Sequence, residues 1–434
     1  MITDLFLALG LALSPASQLR FAGLPLGPGE LCLVLWLLLM PLQRLQAGKI
    51  VSTLPLRQLL GYWTLFGMSL AIGYIAAAVI GDSQDTKLVL HDAIAFPLLA
   101  AVSIASAVDP GAQIRLRRVA WLCAGIGTAC LLMQCFNAVN LFNLFAFDTW
   151  YWDRLRGWSQ NPNQLAFFCL FLTLLSLHLM EQASNPIGRV AALVCLVTAG
   201  VVGYLTKSDT FRVAFAVGLL IFIMIKSQVQ LSRRGSDEHF LGPVLAWYGV
   251  ICLPLALLAV LMLLPQSTRQ AAQSVLWLAK DGGQQAASEA DLRYTLWQEA
   301  LDRGLESGLL GLGPGPHLPI PPSIIAARQS EIEPDNLEHP QLNGTANFEA
   351  HNTYLDLLTQ GGLLAVANFM WLAFSALAQT YRTRLAGLSA LLVGLGVFAM
   401  TGFIARQPVF WLAISLSLVS TGRNANGLES QIGG

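Results

Sequence analysis

Six stretches of this chain, residues 58–81, 119–147, 157–180, 239–268, 357–381 and 385–405, contain no Asp, Glu, Lys or Arg and are dense in Leu, Ala, Val, Ile and Phe. A helix needs about 20 apolar residues to cross a bilayer, and an ionised side chain near the bilayer centre costs about 2.5 kcal/mol or more. Charge-free runs of this length therefore read as membrane spans. Six shorter stretches, 5–19, 31–43, 93–108, 190–206, 213–225 and 407–422, reach the same length with a few flanking residues. The expected fold is an all-α polytopic membrane protein with about twelve transmembrane helices. A soluble globular chain is excluded, since 55% of residues are hydrophobic and 12% charged, against roughly a quarter charged in soluble domains. With 25 basic and 25 acidic residues the formal net charge is zero, so no basic surface offers itself to nucleic acid.

Met1-Ile2-Thr3-Asp4 lacks the basic residues that precede the apolar core of a secretory signal, so the first stretch is expected to be a retained helix. All seven cysteines fall in expected spans, where Cys behaves as a small hydrophobe, and no disulfide framework or zinc site is implied. With twelve spans, one set of short loops plus the C-terminal tail holds thirteen basic residues and the other seven. The positive-inside rule then places both termini in the cytoplasm.

One loop is long. Residues 266–351 carry sixteen charged side chains, eleven of them acidic, and face the opposite compartment, between helices nine and ten. The chain is thus one transmembrane domain, 1–434, with an extramembrane elaboration. Ser288-Glu289-Ala290-Asp291 reads as a helix start, and Leu292, Leu296 and Ala300 recur at helical spacing, so a short amphipathic helix is expected over 289–303. The glycines and prolines from Gly304 to Pro322 then enforce turns.

The candidate chemistry lies on that outer face. Arg154 and Arg156 precede the sixth helix, Lys207 and Arg212 join the seventh and eighth, Arg406 lies between the last two, and Arg293 sits on the loop helix. Cations gathered at one membrane face against the topological rule suit a bound anion, and arginine forks suit phosphate oxygens. Solvated loop ends are the plainer explanation for any one of them, and Asp209 neutralises Lys207 equally well. Asn161 and Pro162 make a good cap and first residue for the sixth helix without any further role. His351, where the loop re-enters the membrane, would be mostly neutral near pH 7 and able to take a proton from a hydroxyl, though a lone interfacial histidine also serves as a cap. Metal-ligand spacings, nucleotide-cradling glycine loops and a Gly-x-Ser-x-Gly elbow are absent from the sequence, so no cofactor and no metal are expected.

Three segments together carry a resemblance. Arg154-Leu155-Arg156-Gly157 followed by Asn161-Pro162-Asn163, Arg293-Tyr294-Thr295-Leu296-Trp297 followed by Gly311-Leu312-Gly313-Pro314-Gly315, and His351-Asn352-Thr353-Tyr354-Leu355 with Gly361-Gly362 resemble, in order, segments of the O-antigen ligase and polymerase superfamily. Thr206-Lys207-Ser208 departs from that family's usual Ser-Arg order. The resemblance, over roughly 145–400, implies a fold like that of the GT-C-like O-antigen ligases. It also implies glycan transfer from an undecaprenyl-diphosphate carrier to an acceptor hydroxyl at the periplasmic face of the bacterial inner membrane, without metal or nucleotide. On that basis His351 and Arg293 would be catalytic. Arg154, Arg156, Arg212, Asn163, Lys207 and Arg406 would bind substrate. The expected partners are the lipid-linked glycan donor, lipid A core or a growing glycan as acceptor, and membrane lipids.

Ligation to lipid A core and polymerisation of a lipid-linked chain both fit these motifs. A secondary transporter would also have twelve helices, but the absence of a repeat, the charge-free span centres and the long loop oppose it. A scaffold for envelope assembly would tolerate exchange of the outer cations.

Overall fold

The computed structural model describes residues 2–21, 26–44, 52–81, 86–108, 111–141, 148–151, 153–234, 293–319 and 348–432. The chain is a multi-pass membrane protein, and its described residues are mostly helical. Seven of its described helices are long and apolar enough to cross a membrane, and four shorter ones are apolar. Eleven of the twelve expected stretches fall on helices; the stretch 239–268 lies outside the described residues.

The helices are α1 (Ile2–Leu13), α2 (Pro28–Arg44), α3 (Leu54–Ile80), α4 (Thr86–Ala107), α5 (Ala112–Ala138), α6 (Pro162–Gln182), α7 (Pro186–Leu205), α8 (Asp209–Arg234), α9 (residues 293–306), α10 (Thr353–Arg382), α11 (Ala386–Ala399) and α12 (Pro408–Ile432). A two-stranded hairpin, Trp150–Tyr151 with Arg154–Leu155, precedes α6. Several boundaries differ from expectation for local reasons. Helix α1 stops at Leu13, two residues before Pro15, and the rest of that stretch is a turn with a single 3-10 turn over Ser17–Leu19. Residues 157–161 are a turn, and α6 starts at Pro162, where the Asn161 side chain accepts from Asn163 N. Residues 400–407 form a non-helical link rather than the end of α11. Helix α9 lies within a few residues of its expected place.

Helix α6 is the centre. It is apolar on every side and buried against α5, α7, α8 and α11, as a helix enclosed by others must be. Small residues set how closely the neighbours approach, as is usual where lipid gives no hydrophobic drive for helix association. A Cβ on Gly394 would meet Leu174 Cδ1 at 2.4 Å, and one on Gly127 would meet Leu172 Cδ1 at 2.8 Å. Helix α7 instead has two faces: Ala192, Cys195, Ala199 and Val202 are buried, whereas Ile187, Val190, Val194, Val197 and Val201 are exposed. An apolar outer face of this kind belongs against acyl chains.

Contacts between helix ends sort the chain into two faces. At one, Gln18 Nε2 donates to Ser159 O (2.8 Å), Arg154 Nε to Thr206 O (3.0 Å), Thr401 Oγ1 to Thr210 Oγ1 (2.9 Å) and Arg406 Nη1 to Asp92 Oδ1 (2.9 Å). At the other, Arg118 pairs with Asp4 (2.6 Å), Gly387 N donates to Glu181 Oε2 (2.9 Å) and Tyr381 OH to Gln228 Oε1 (3.3 Å). Each pairing joins ends that an up-and-down path puts on the same side.

Helix α10 is broken. Gly362 has φ 67° and ψ −164° inside it, so the ladder is interrupted at membrane depth, where no water can serve the freed groups. The turn after α9 serves them: Leu312 N donates to Thr359 O (2.7 Å), Gly313 N to Gln360 O (2.8 Å), and Leu363 N to Leu309 O (2.9 Å). This backbone-on-backbone seam admits no side chains. A Cβ on Gly311, itself at φ 84°, would lie 2.5 Å from Gly362 N and 2.6 Å from Gln360 O. Gly311→Ala is expected to cost more than the roughly 1–2 kcal/mol of a left-handed backbone alone. Gly61→Ala, on α3 with nothing within 4 Å among the described residues, should be neutral or stabilising by about 0.5–1 kcal/mol. Thermal unfolding of the detergent-solubilised variants checks both.

Candidate active site

The start of α10 fixes the most interesting side chain. Asn352 caps the helix, its Oδ1 accepting from Tyr354 N (3.0 Å) and Leu355 N (3.4 Å). Asp356, buried one turn in, accepts from Ala350 N (2.7 Å) through Oδ1 and from Asn352 N (3.1 Å) through Oδ2. The backbone N–H groups of the two residues flanking His351 are thus held by one carboxylate, and His351 itself takes φ 51°, a conformation uncommon for a non-glycine residue. Its ring meets Phe348 edge-on at 5.3 Å and keeps access to solvent.

The link 400–407 locks this turn from the other side. Thr353 Oγ1 donates to Gly402 O (2.6 Å) and accepts from Ile404 N (3.0 Å). Arg406 joins Asp92 of α4 to Glu349 on the returning loop and lies 4.9 Å over the Phe403 ring. Burial disfavours its charge, but the carboxylates of Asp92 and Glu349 outweigh that and hold its pKa above the usual arginine value.

Helix α9 brings Arg293 to the same place. Leu296 and Ala300 pack with Leu318, Phe348 and Ala350, and Leu318 pairs with Phe348 in an isolated antiparallel bridge. Arg293 lies three residues before Leu296 and seven before Ala300, on the same helix face, and so beside the His351 turn. Among the described residues it has no ion-pair partner. For His351 the packed surroundings lower the pKa from its ordinary value; Glu349 opposes this, and Arg293 and Arg406 add to it. The imidazole is therefore held neutral, as a proton acceptor requires.

The remaining expected site residues form a second cluster on the same face. Arg154 is used structurally, with Nε on Thr206 O (3.0 Å) and Nη2 on Asn163 Oδ1 (2.9 Å), which ties the hairpin to the start of α6 and the end of α7. Asn163 is thereby engaged as well. Arg156 meets Asp148 (2.9 Å), Arg212 meets Asp209 (3.1 Å) and Lys207 meets Asp153; these three carboxylates are 71%, 89% and 73% exposed. Pairs open to solvent in this way are worth about 0–1 kcal/mol and yield readily to a competing anion. The Arg406 pair, closed on a fully buried Asp92, does not. The Thr401–Thr210 contact connects the two clusters.

Asp92, Glu349 and Asp356 were not singled out from the sequence. The charge-free windows begin at 93 and 357, one residue after each aspartate, whereas the helices begin at Thr86 and Thr353. An acidic residue at the mouth of a span was the available signal.

Residues 193–370, from α7 into α10, match the family model described as O-Antigen ligase. The segment belongs to the O-antigen ligase superfamily. The ligase segment contains Lys207, Arg212, Arg293 and His351, whereas Arg154, Arg156, Asn163 and Arg406 fall outside it. No curated protein matches the chain. The chain is a multi-pass membrane protein, and over residues 193–370 it is similar to O-antigen ligases, a class that transfers glycans.

Thr353→Val removes the hydroxyl on which Gly402 O and Ile404 N both depend. It is expected to cost roughly 1–3 kcal/mol for polar groups left unpaired, seen as a lowered midpoint in thermal unfolding of the solubilised protein.

Proposed function

We propose that the protein joins a glycan carried on undecaprenyl diphosphate to lipid A core. The observation that carries this is the convergence of His351 and Arg293: a clamped, neutral imidazole open to solvent, beside a guanidinium with no ion-pair partner among the described residues. His351 takes the proton of the acceptor hydroxyl as that oxygen attacks the anomeric carbon, and the bond from that carbon to the diphosphate breaks. The diphosphate leaves with the electron pair. Arg293 and Arg212 stabilise its developing charge, a role that preorganised cations fill effectively. A single displacement inverts the anomeric centre. Arg156 and Lys207 hold the diphosphate or its first sugar, while Arg154, Asn163 and Arg406 build the frame. In this reading the arginines carry the charge stabilisation, so transfer needs no metal ion.

The proposal places the protein in the bacterial inner membrane, with a GT-C-like ligase fold of twelve spans in one domain, 1–434. Both termini are cytoplasmic, and the loop 266–351 is periplasmic. The end of α8 and the start of α10 lie on opposite faces of the bundle, which supports this count. Reporter fusions after Arg234 and Gly283 should report cytoplasm and periplasm respectively; the reverse would remove the site from the compartment of its substrates.

Glycan profiling of a deletion strain complemented with wild type, His351→Ala or Arg293→Ala tests the chemistry. Loss of general-base catalysis should lower transfer on the order of 10²–10⁴-fold, with polymer lost from lipid A core and long chains accumulating on the carrier. Accumulation of single repeat units would make the protein a polymerase, and a normal profile at equal expression would sink the assignment. The pH dependence has a definite sign. Because the His351 pKa is lowered, the acid limb of the rate profile should lie below the ordinary histidine value of about 6.5, measured with purified protein and a lipid-linked donor.

A further inference from the structure

Arg406, Asp92 and Glu349 form a line of charge from the bundle interior to His351, and its inner end is incomplete. Arg406 Nη1 meets Asp92 Oδ1 at 2.9 Å and Nη2 meets Glu349 Oε1. Asp92 is fully buried; Oδ1 also faces His91 Nδ1 at 3.0 Å, and Oδ2 has no hydrogen-bond partner among the described residues. A buried carboxylate oxygen without a donor is costly, and here the unused acceptor belongs to the carboxylate that already holds one arm of an arginine fork. Such forks close on carboxylates with two parallel bonds. The outer end is different, since the Glu349 side chain is 19% exposed and stands two residues before His351.

Glu349 is also the acidic group whose charge favours a proton on His351, whereas Arg293 from α9 and Arg406 from the 400–407 link disfavour it. Asp356, on α10, has both oxygens committed to the peptides of Ala350 and Asn352. Asp92 is not among the charges that bear on His351.

We propose that Glu349 is a positioning residue for His351 that changes partners during the reaction: it rests on Arg406 while the imidazole is neutral, turns to the imidazolium once His351 has taken the acceptor's proton, and leaves Arg406 to close its fork on Asp92 Oδ2. The proton passes from the acceptor hydroxyl to His351 and then to solvent. Glu349 and Arg406 exchange hydrogen bonds and transfer no proton. Asp92 thereby holds a place for the arginine arm that Glu349 releases. The proposal rests on the reading of His351 as the base, but its test needs no glycan.

Histidine-labelled full-length protein in nanodiscs, followed by NMR with the His351 signal assigned through its loss in His351→Gln, gives the His351 titration without donor or acceptor. Glu349→Gln should shift the midpoint to lower pH. Asp92→Asn should do so too, because Arg406 then keeps Glu349, and the double variant should shift no further than Glu349→Gln alone. An Asp92→Asn midpoint equal to wild type, or a double variant equal to the sum of both shifts, overturns the exchange. Should Asp92→Asn not fold, Glu349→Gln decides with Glu349→Asp: a fall in the first that the second partly restores supports the proposal, and an unchanged midpoint overturns it. Absence of glycan transfer by a wild type with these titrations would dismiss the proposed function and leave the exchange standing. In transfer assays of an active wild type, Glu349→Gln should lower kcat on the order of tenfold or more with the donor KM unchanged; a raised KM at unchanged kcat would overturn the positioning role.

Discussion

A single guanidinium, held between a buried aspartate and a loop glutamate, joins three parts of the chain that are distant in sequence. Through Arg406 the helix α4 is connected to the returning loop and to the link before α12. Two carboxylates against one arginine are an expensive arrangement to bury, and breaking such a pair is costlier than never having had it. What the arrangement provides is register. Asp356, Asn352 and Thr353 then complete the turn around His351 with hydrogen bonds, so the imidazole is placed by backbone clamps together with its edge-on contact to Phe348.

The break in α10 works with this frame. A continuous helix would have satisfied its own backbone groups, whereas the broken one gives up two carbonyls to the segment after α9. That exchange carries an extramembrane segment into the bundle and anchors α9, and with it Arg293, against the transmembrane frame. The glycines at 311, 313 and 362 are conditions of the exchange, since their Cβ atoms would collide with backbone.

Much of this was legible in the residues. Apolar runs without charge located the spans because the bilayer penalises ionised groups, and His351 with Arg154, Arg156, Lys207, Arg212 and Arg406 could be named because they stood near the ends of those runs, whereas Arg293 was marked by its place on the loop helix. Which cations were already occupied could not be read. Arg154 and Arg212 look alike in sequence, yet one is spent on Thr206 O and Asn163 and the other faces an exposed aspartate. Pairing across the bundle, as between Asp92 and Arg406, depends on three-dimensional neighbours that a one-dimensional charge pattern does not encode. Asp92 and Asp356 escape notice for a related reason: each stands one residue before a charge-free run, at a boundary its own charge defines. The break at Gly362 was also invisible, since Gly361-Gly362 inside an apolar run reads as a tolerated helical pair.

Two of the apolar helices are short. Helix α1 has 12 residues and α11 has 14, lengths of about 18 and 21 Å at 1.5 Å per residue, against a hydrocarbon core of about 30 Å. Both begin level with the face that carries Asp4 and Glu181, so both stop short on the His351 side, where the polar links 14–21 and 400–407 take over. Neighbouring helices cover that shortfall for α11, which is buried or half-buried along its length. On that side the transmembrane frame is capped by links rather than by helix ends, and the link 400–407 brings Arg406 to Asp92 without any helix having to reach it.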